Sequence, residues 1–251
     1  MLLSSFLNVS FSSWILAFAA AFIIGVSKSG VKGLALVAVT FMALAFETKA
    51  STGLVVPLFI VGDIFAVIYY NRHTKWKYIV HFLPWVIAGV IIGNFIGKDL
   101  DESTFKIGMA IVILGSVIMM YWWDRRKSKV VPTHWAFAGS MGLLAGITTM
   151  IGNLAGSFAN IFFLAMRLPK NEFIGTAAWL FFIINIFKLP FHIWSWGTIT
   201  KETLLFDLKL VPAILFGLFV GVRLVKIIKD DFYRKMILVL TALGAVAILF
   251  R

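Results

Sequence analysis

The sequence predicts an all-α integral membrane protein built from two inverted repeats of about five hydrophobic segments each, and three observations support this prediction. First, 61% of the 251 residues are hydrophobic and only 14% are charged, whereas a soluble domain carries roughly 25% charged residues. Second, most of the apolar residues lie in segments of about 20 residues, the length that crosses a bilayer as a helix. Third, patterns of the first half recur in the same order in the second half.

Ten apolar segments can be delimited along the chain. They are residues 6–27, 33–46, 51–70, 78–97, 104–123, 134–151, 154–167, 173–194, 205–226 and 232–250. Segments 33–46 and 154–167 are too short to span, because as helices they would reach only about 21 Å. Each follows a polar stretch that contains glycine, "GVSKSGVKG" before the first and "GITTMIGNLAGS" before the second. We therefore expect a short or broken helix near the start of each half, with its irregular backbone buried in protein or facing a water-filled cavity.

The two halves share a glycine pattern. "PWVIAGVIIG" (84–93) and "PAILFGLFVG" (212–221) have the same Pro-x4-Gly-x3-Gly spacing, and each is followed by a lysine and a pair of acidic residues. An odd number of crossings in each half would invert the second half relative to the first, which is an arrangement typical of secondary transporters. The predicted organisation is a membrane repeat at 1–123, a basic linker at 124–133 and a second membrane repeat at 134–251.

The net charge of +12 comes from short basic runs between apolar segments, which indicates membrane topology rather than nucleic-acid binding. If the segments alternate sides, with the short ones returning or crossing fully, one face collects Arg72, Lys75, Lys77, Arg125, Arg126, Lys127, Lys129, Arg167, Lys170, Arg223, Lys226, Lys229, Arg234 and Lys235. A single broken helix over residues 6–46 that crosses once is the alternative, and it would swap the sides at that point. The other face collects Lys49, Lys98, Lys106, Lys201, Lys209 and Arg251. This bias predicts a cytoplasmic linker and both termini outside.

The paired halves, the segments "ASTGLVVP" and "IGTAAWL", the glycine-containing breaks and the basic linker resemble the TauE/SafE sulfite-exporter family, also called the 4-toluene sulfonate uptake permeases. The resemblance covers nearly the whole chain. Members typically carry a run of glycines at the first break, where this chain reads "SKSGVKG". The resemblance implies secondary transport of a small sulfur-containing anion, such as sulfite or an organosulfonate, across a bacterial inner membrane.

The two breaks predict an anion site. A helix that begins at such a break presents unpaired backbone N–H groups and the positive end of its dipole, and neighbouring lysines and hydroxyl groups add further donors. The predicted substrate-binding residues are Ser27, Lys28, Ser29, Gly30, Lys32, Gly33, Thr148, Thr149, Asn153, Gly156 and Ser157. For Lys28 and Lys32, an ordinary cytoplasmic loop between two helices remains the alternative.

Two charged residues interrupt apolar segments well away from their ends, Asp63 in "LFIVGDIFAVIYY" and Lys188 in "FFIINIFKLPFHIW". Ionisable groups at membrane depth are costly and are candidates for function. Asp63 is predicted to carry a coupling proton, with Lys188 as its partner or as a counter-charge to the substrate; a purely structural ion pair is the alternative. Asn185 and His192 are weaker candidates for the same path.

The leading hypothesis is a secondary transporter of a small sulfur-containing anion, coupled to protons and dependent on no cofactor or metal. An anion channel, or a membrane partner or assembly protein without transport activity, would use many of the same features. An enzyme is not expected, since the sequence contains no nucleophile elbow, metal-ligand cluster or P-loop. The expected partners are the small anion and the lipid bilayer, with no nucleic acid; the sequence does not determine the oligomeric state.

Overall fold

The computed structural model of the protein describes residues 9–31, 33–105 and 135–227, together with a few isolated positions, and its regular elements in these ranges are all helical. The helices are α1 (Phe11–Lys28), α2 (Leu34–Ala45), α3 (Thr48–Tyr70), α4 (Trp76–Lys98), α5 (Trp135–Gly152), α6 (Ala155–Ala165), α7 (Lys170–Pro190) and α8 (Lys201–Ile227). Most of predicted segment 104–123, segment 232–250, linker 124–133 and Lys32 lie outside the described residues.

Six of these helices are long and apolar enough to cross a membrane. They are α1, α3 with the 3₁₀ turn Asn71–His73, α4, α5, α7 with the π-helical turn Phe191–Ser195, and α8. Their large exposed side chains are apolar over much of α4 and α8, including Val80, Phe95, Leu205, Leu208 and Phe219. Such a surface suits hydrocarbon better than water, and the prediction of a multi-pass membrane protein is confirmed at this level.

The two short segments form short helices, of 12 residues in α2 and 11 residues in α6. The breaks before them are shorter than predicted. Helix α1 continues through Gly25 to Lys28, and α5 continues to Gly152. Between α1 and α2 the described non-helical backbone is residues 29–31 and 33, and between α5 and α6 it is residues 153 and 154. Gly25 and Thr149 therefore belong to regular helix. The polar side chains in these stretches still have partners, because Lys28 bonds to Asp63 and Thr149 bonds to Lys188 while the helices continue.

Glycine residues allow the helices of the two halves to pack closely. A Cβ added at Gly25 of α1 would lie 2.9 Å from Cα of Gly217 in α8, and a Cβ added at Gly89 of α4 would lie 2.9 Å from Cα of Gly146 in α5. Real Cβ atoms do not come so close to backbone atoms. The glycines of both Pro-x4-Gly-x3-Gly patterns thus bring the fourth helix of each half onto the first helix of the other, as small residues do in membrane helix pairs.

Helices α3 and α7 pack against each other in opposite directions through the centre of the molecule. Near one end, the backbone N–H of Lys75 donates to Thr176 Oγ1 at 3.0 Å. Near the other end, Gly53 lies against Thr198, which follows α7. The residues midway between these contacts, Asp63 and Asn185, therefore lie at the same depth on facing helices.

The close contact at Gly146 predicts a difference between two glycines of the same helix. Gly146→Ala would place a methyl group against Val86 O and 2.7 Å from Gly89 Cα, whereas Gly139→Ala would meet its nearest neighbour, the Trp85 ring, at an ordinary 3.5 Å. We expect Gly146→Ala to lower the free energy of unfolding by about 1–3 kcal/mol through overpacking. Gly139→Ala should be neutral or stabilising by up to about 1 kcal/mol through helix propensity.

Thermal unfolding of both detergent-purified variants tests this prediction. A Gly146→Ala protein that unfolds at the same temperature as Gly139→Ala would contradict the close packing of α4 on α5.

Candidate functional site

The two breaks meet at one small cavity. Its lining includes Lys28 and Gly33 from the first break, Asn153 and Gly156 from the second, and Asn185 from α7. The cavity offers about 50 Å³ to the centres of water-sized molecules, whereas one water needs about 10–15 Å³ on the same measure. The site therefore has room for a few waters or a very small ligand.

Two helix N-termini face this cavity. Gly33 is the N-cap of α2, and Leu154 is the N-cap of α6, whose first residues, Ala155 and Gly156, line the cavity. Neither N-cap makes a side-chain hydrogen bond to its helix. The first N–H groups of an α-helix have no partner within the helix, and the helix dipole makes this end positive. The cavity wall therefore presents backbone donors and positive potential from two directions.

Backbone conformation explains the residue types at the breaks. Gly30 and Gly33 have φ values of 124° and 96°, and Asn153 has a φ value of 57°. Glycine adopts positive φ without steric cost, and asparagine is one of the few other residues that does so often. The first break is also held from α3, because Tyr70 Oη donates to Ser29 O at 2.6 Å.

An ion pair is buried beside the cavity. Lys28 Nζ donates to Asp63 Oδ1 at 2.7 Å, and Asn185 Nδ2 donates to Asp63 Oδ2 at 2.7 Å. The Lys28 ammonium also lies 4.3 Å from the centroid of the Phe59 ring. These contacts tie the end of α1 to the middle of α3 and α7, and they give both carboxylate oxygens of Asp63 a donor.

A second buried lysine has only neutral hydrogen-bond partners among the described residues. Lys188 Nζ donates to Asn153 Oδ1 at 2.7 Å, to Thr149 Oγ1 at 3.1 Å and to Thr149 O at 3.3 Å. Asn153 Nδ2 in turn donates to Thr52 O at 2.9 Å. Lys188 is thus connected to the second break through the two residues, Thr149 and Asn153, that also line the cavity.

Of the two roles predicted for Lys188, partner of Asp63 or counter-charge to the substrate, the structure does not show the first. Asp63 pairs with Lys28, and Lys188 bonds to the second break instead. The reason is geometric. Helix α1 ends beside the middle of α3, and this places the Lys28 ammonium against the Asp63 carboxylate. Lys28 itself lies at the buried end of a helix, not in an exposed loop, since only 6% of its surface is accessible.

The other predicted residues divide into two groups. Ser27 and Gly156 line the cavity together with the residues already named. Seven predicted residues do not line it: Ser29, Gly30, Asp63, Thr148, Ser157, Lys188 and His192. Ser29 and Thr148 donate to backbone carbonyls of their own helices, at 2.7 Å and 3.3 Å. His192 is fully buried, with Nδ1 at 2.9 Å from Thr198 Oγ1. Lys32 lies outside the described residues.

Five cavity residues were not predicted from the sequence: Ala35, Phe59, Ala155, Asn160 and Phe181. Asn160 is 2% exposed, and its Oδ1 has no hydrogen-bond partner among the described residues. Asn160 lies four residues after Gly156 on α6, and residues at this spacing share one face of a helix. A polar residue at that position of an apolar helix is the sequence feature that could have identified it. The two phenylalanines carried no signal, because 25 phenylalanines occur along the chain.

The described residues contain no group of three or more His, Cys, Asp or Glu side chains placed to hold a metal ion. The chemistry the site offers is instead charge-assisted hydrogen bonding in a buried environment, which favours a small anion.

A family model described as "Sulfite exporter TauE/SafE" matches residues 17–248. The chain belongs to this family. It is a multi-pass membrane protein of a transporter family, as the resemblance in its sequence implied. No curated protein and no solved structure matches the chain.

The buried ion pair predicts a large loss of stability in this TauE/SafE protein when one partner is removed. Lys28→Met would leave Asp63 charged and facing only Asn185, and breaking a buried pair costs about 3–5 kcal/mol. The double variant Lys28→Met/Asp63→Asn should recover part of this loss, because no unpaired charge remains. Thermal unfolding in detergent measures both.

Lys75→Met is the matched control. Lys75 pairs with Glu172 at 3.0 Å, but these side chains are 48% and 30% exposed, and an exposed pair contributes about 0–1 kcal/mol. Equal destabilisation by Lys28→Met and Lys75→Met would show that the buried pair contributes no more than a surface pair.

Proposed function

We propose that this protein is a secondary transporter that moves a small sulfur-containing anion, sulfite or an organosulfonate, across the inner membrane of a bacterium in a step coupled to protons. One observation carries the proposal: two helix N-termini and the buried Lys28 line a cavity between the halves of a membrane protein, and the buried Lys188 is hydrogen-bonded to two residues that line it. Membership in the sulfite exporter TauE/SafE family supports the choice of anion.

The predicted binding residues act as one shell around the anion. Backbone N–H groups at the starts of α2 and α6 donate to the anion's oxygens, and Thr149 and the amide groups of Asn153 and Asn185 complete the set. Lys188 orients Thr149 and Asn153 while supplying positive charge. Oxyanions such as sulfite present several acceptor oxygens and no carbon chain, which suits a small cavity where a few donors are set among apolar side chains.

The two halves are proposed to be inverted repeats. The reciprocal packing of α4 on α5 and of α8 on α1 through equivalent glycines supports this arrangement. So does the antiparallel packing of α3 on α7, with Asp63 and Asn185 at matching positions. In such transporters the binding site lies near the middle of the bilayer at the repeat interface.

Asp63 is proposed to carry the coupling proton. It is a fully buried carboxylate one hydrogen bond away from Lys28, which lines the cavity. A proton on Asp63 would weaken the ion pair and free the Lys28 ammonium to donate to the anion. Anion binding and protonation would then favour each other, which is the thermodynamic basis of coupled transport.

Flux of sulfite into proteoliposomes tests the transporter function. We expect the purified protein to accelerate sulfite flux and a proton gradient to drive it. Lys188→Met should reduce the flux at least about tenfold, because the site loses a buried cation. Asp63→Asn should leave flux that no longer responds to the proton gradient. Lys209→Met, which removes an exposed lysine of α8, is the control and should leave flux unchanged.

Other outcomes of this experiment identify the other functional classes. Flux that ignores both the proton gradient and Asp63→Asn indicates an anion channel. Sulfite flux equal to that of protein-free liposomes contradicts transport altogether and favours a membrane partner protein.

The proposed orientation places the basic linker 124–133 in the cytoplasm and both termini outside. In this orientation the two ends of α4 lie on opposite sides, with Lys77 cytoplasmic and Lys98 external. Both lysines are exposed.

The absence of native cysteine makes this orientation directly testable in cells. We expect a membrane-impermeant maleimide to label Lys98→Cys in intact spheroplasts and Lys77→Cys only after lysis. Labelling in the reverse order would contradict the proposed orientation.

A further inference from the structure

The charged groups of the site do not balance. Three buried ionisable side chains lie at or directly behind the cavity wall. Lys28 lines the cavity, whereas Asp63 and Lys188 do not line it but are hydrogen-bonded to residues that do. The carboxylate is paired with Lys28 at 2.7 Å. Lys188 bonds to an amide oxygen, a hydroxyl and a backbone carbonyl, all of them neutral. With these three groups ionised, the described part of the empty site carries one excess positive charge.

The other buried ionisable groups of the described residues stand apart from the cavity lining. His192 lies one helical turn beyond Lys188 and bonds to Thr198. Asp207 is buried in α8, and neither the His192 nor the Asp207 side chain has a hydrogen bond to a described residue that lines the cavity. The charge closest to a ligand is therefore set by Lys28, Lys188 and Asp63.

We propose that this protein selects an oxyanion that carries a single negative charge, and that Asp63 is the residue that sets this preference. The inference rests on the proposed function and specifies the ligand's charge. One negative charge brings the buried set to neutrality, whereas a second would be buried without a counter-charge, and burying an unpaired charge is strongly unfavourable. Without Asp63 the site would carry two excess positive charges and would suit a dianion.

A second observation points to a ligand at the same place. Asn160 lines the cavity and is only 2% exposed, and its amide oxygen has no hydrogen-bond partner among the described residues. Buried amide groups in proteins nearly always have a hydrogen-bond partner. Because Oδ1 is an acceptor, its partner must be a donor: the O–H of a protonated oxyanion, or a water held beside the anion.

Methanesulfonate and sulfate are the probes that separate charge from shape. Both are tetrahedral sulfur oxyanions of similar size, and at neutral pH the first carries one negative charge and the second carries two. Their dissociation constants would be measured by titration calorimetry on the detergent-purified protein at one pH and constant ionic strength. We expect wild-type protein to bind methanesulfonate at least about tenfold more tightly than sulfate.

Variants then test the role of Asp63 through the ratio of the two constants. Asp63→Asn should lower the preference for methanesulfonate at least about tenfold or reverse it. Lys28→Met/Asp63→Asn removes one charge of each sign and should keep the wild-type preference. Glu172→Gln, the same chemical change at an exposed ion pair, should leave the ratio unchanged.

The outcomes separate this inference from the proposed function. Equal or tighter binding of sulfate by wild-type protein overturns the charge preference, even where sulfite flux supports transport. An unchanged ratio in Asp63→Asn overturns the role of Asp63. If that variant does not fold, the wild-type ratio and the double variant decide. Failure of wild-type protein to bind either anion, with no sulfite flux, overturns the charge preference and the proposed function together.

Discussion

The ion pair between Lys28 and Asp63 connects the parts of the molecule on which the site depends. Lys28 is the last residue of α1, and Asp63 lies in the middle of α3, where Asn185 of α7 holds its second oxygen. The pair therefore fixes where α1 ends, and with it where the backbone of the first break and the start of α2 lie. Tyr70 reinforces the same arrangement by binding Ser29 O.

A pair of charges at this depth is expensive, because neither ion retains its hydration shell. The neighbouring residues reduce this cost. Both oxygens of Asp63 accept a hydrogen bond from a donor held on a helix, and the Phe59 ring lies beside the Lys28 ammonium at a distance typical of cation–π contacts. Next to this region, Gly25 and Gly217 let α1 and α8 pack closely against each other.

Much of the helical architecture could be predicted from the sequence, because hydropathy and segment length are local properties. The short helices α2 and α6 followed from the lengths of two apolar segments, and the breaks followed from glycine and polar residues. The partner of Asp63 could not be predicted, because it depends on the rotation of α1 about its axis. Asn160 was missed for a similar reason: an asparagine in an apolar helix has the same sequence signature whether it faces a cavity or a neighbouring helix.

The proposed charge preference and the proposed proton coupling apply to two ionisation states of the anion, and one requirement links them. A transporter that exposes its site alternately to each side must carry the site through a state closed to water, and an unbalanced charge in that state is unfavourable. One anionic charge neutralises the excess positive charge of Lys28, Lys188 and Asp63. A dianion would do so only together with a proton on Asp63. The site would then permit transport of a singly charged anion, or of a dianion together with one proton. Asp63 links these two modes of transport, because it is the one group of the three whose negative charge is removed when it takes up a proton.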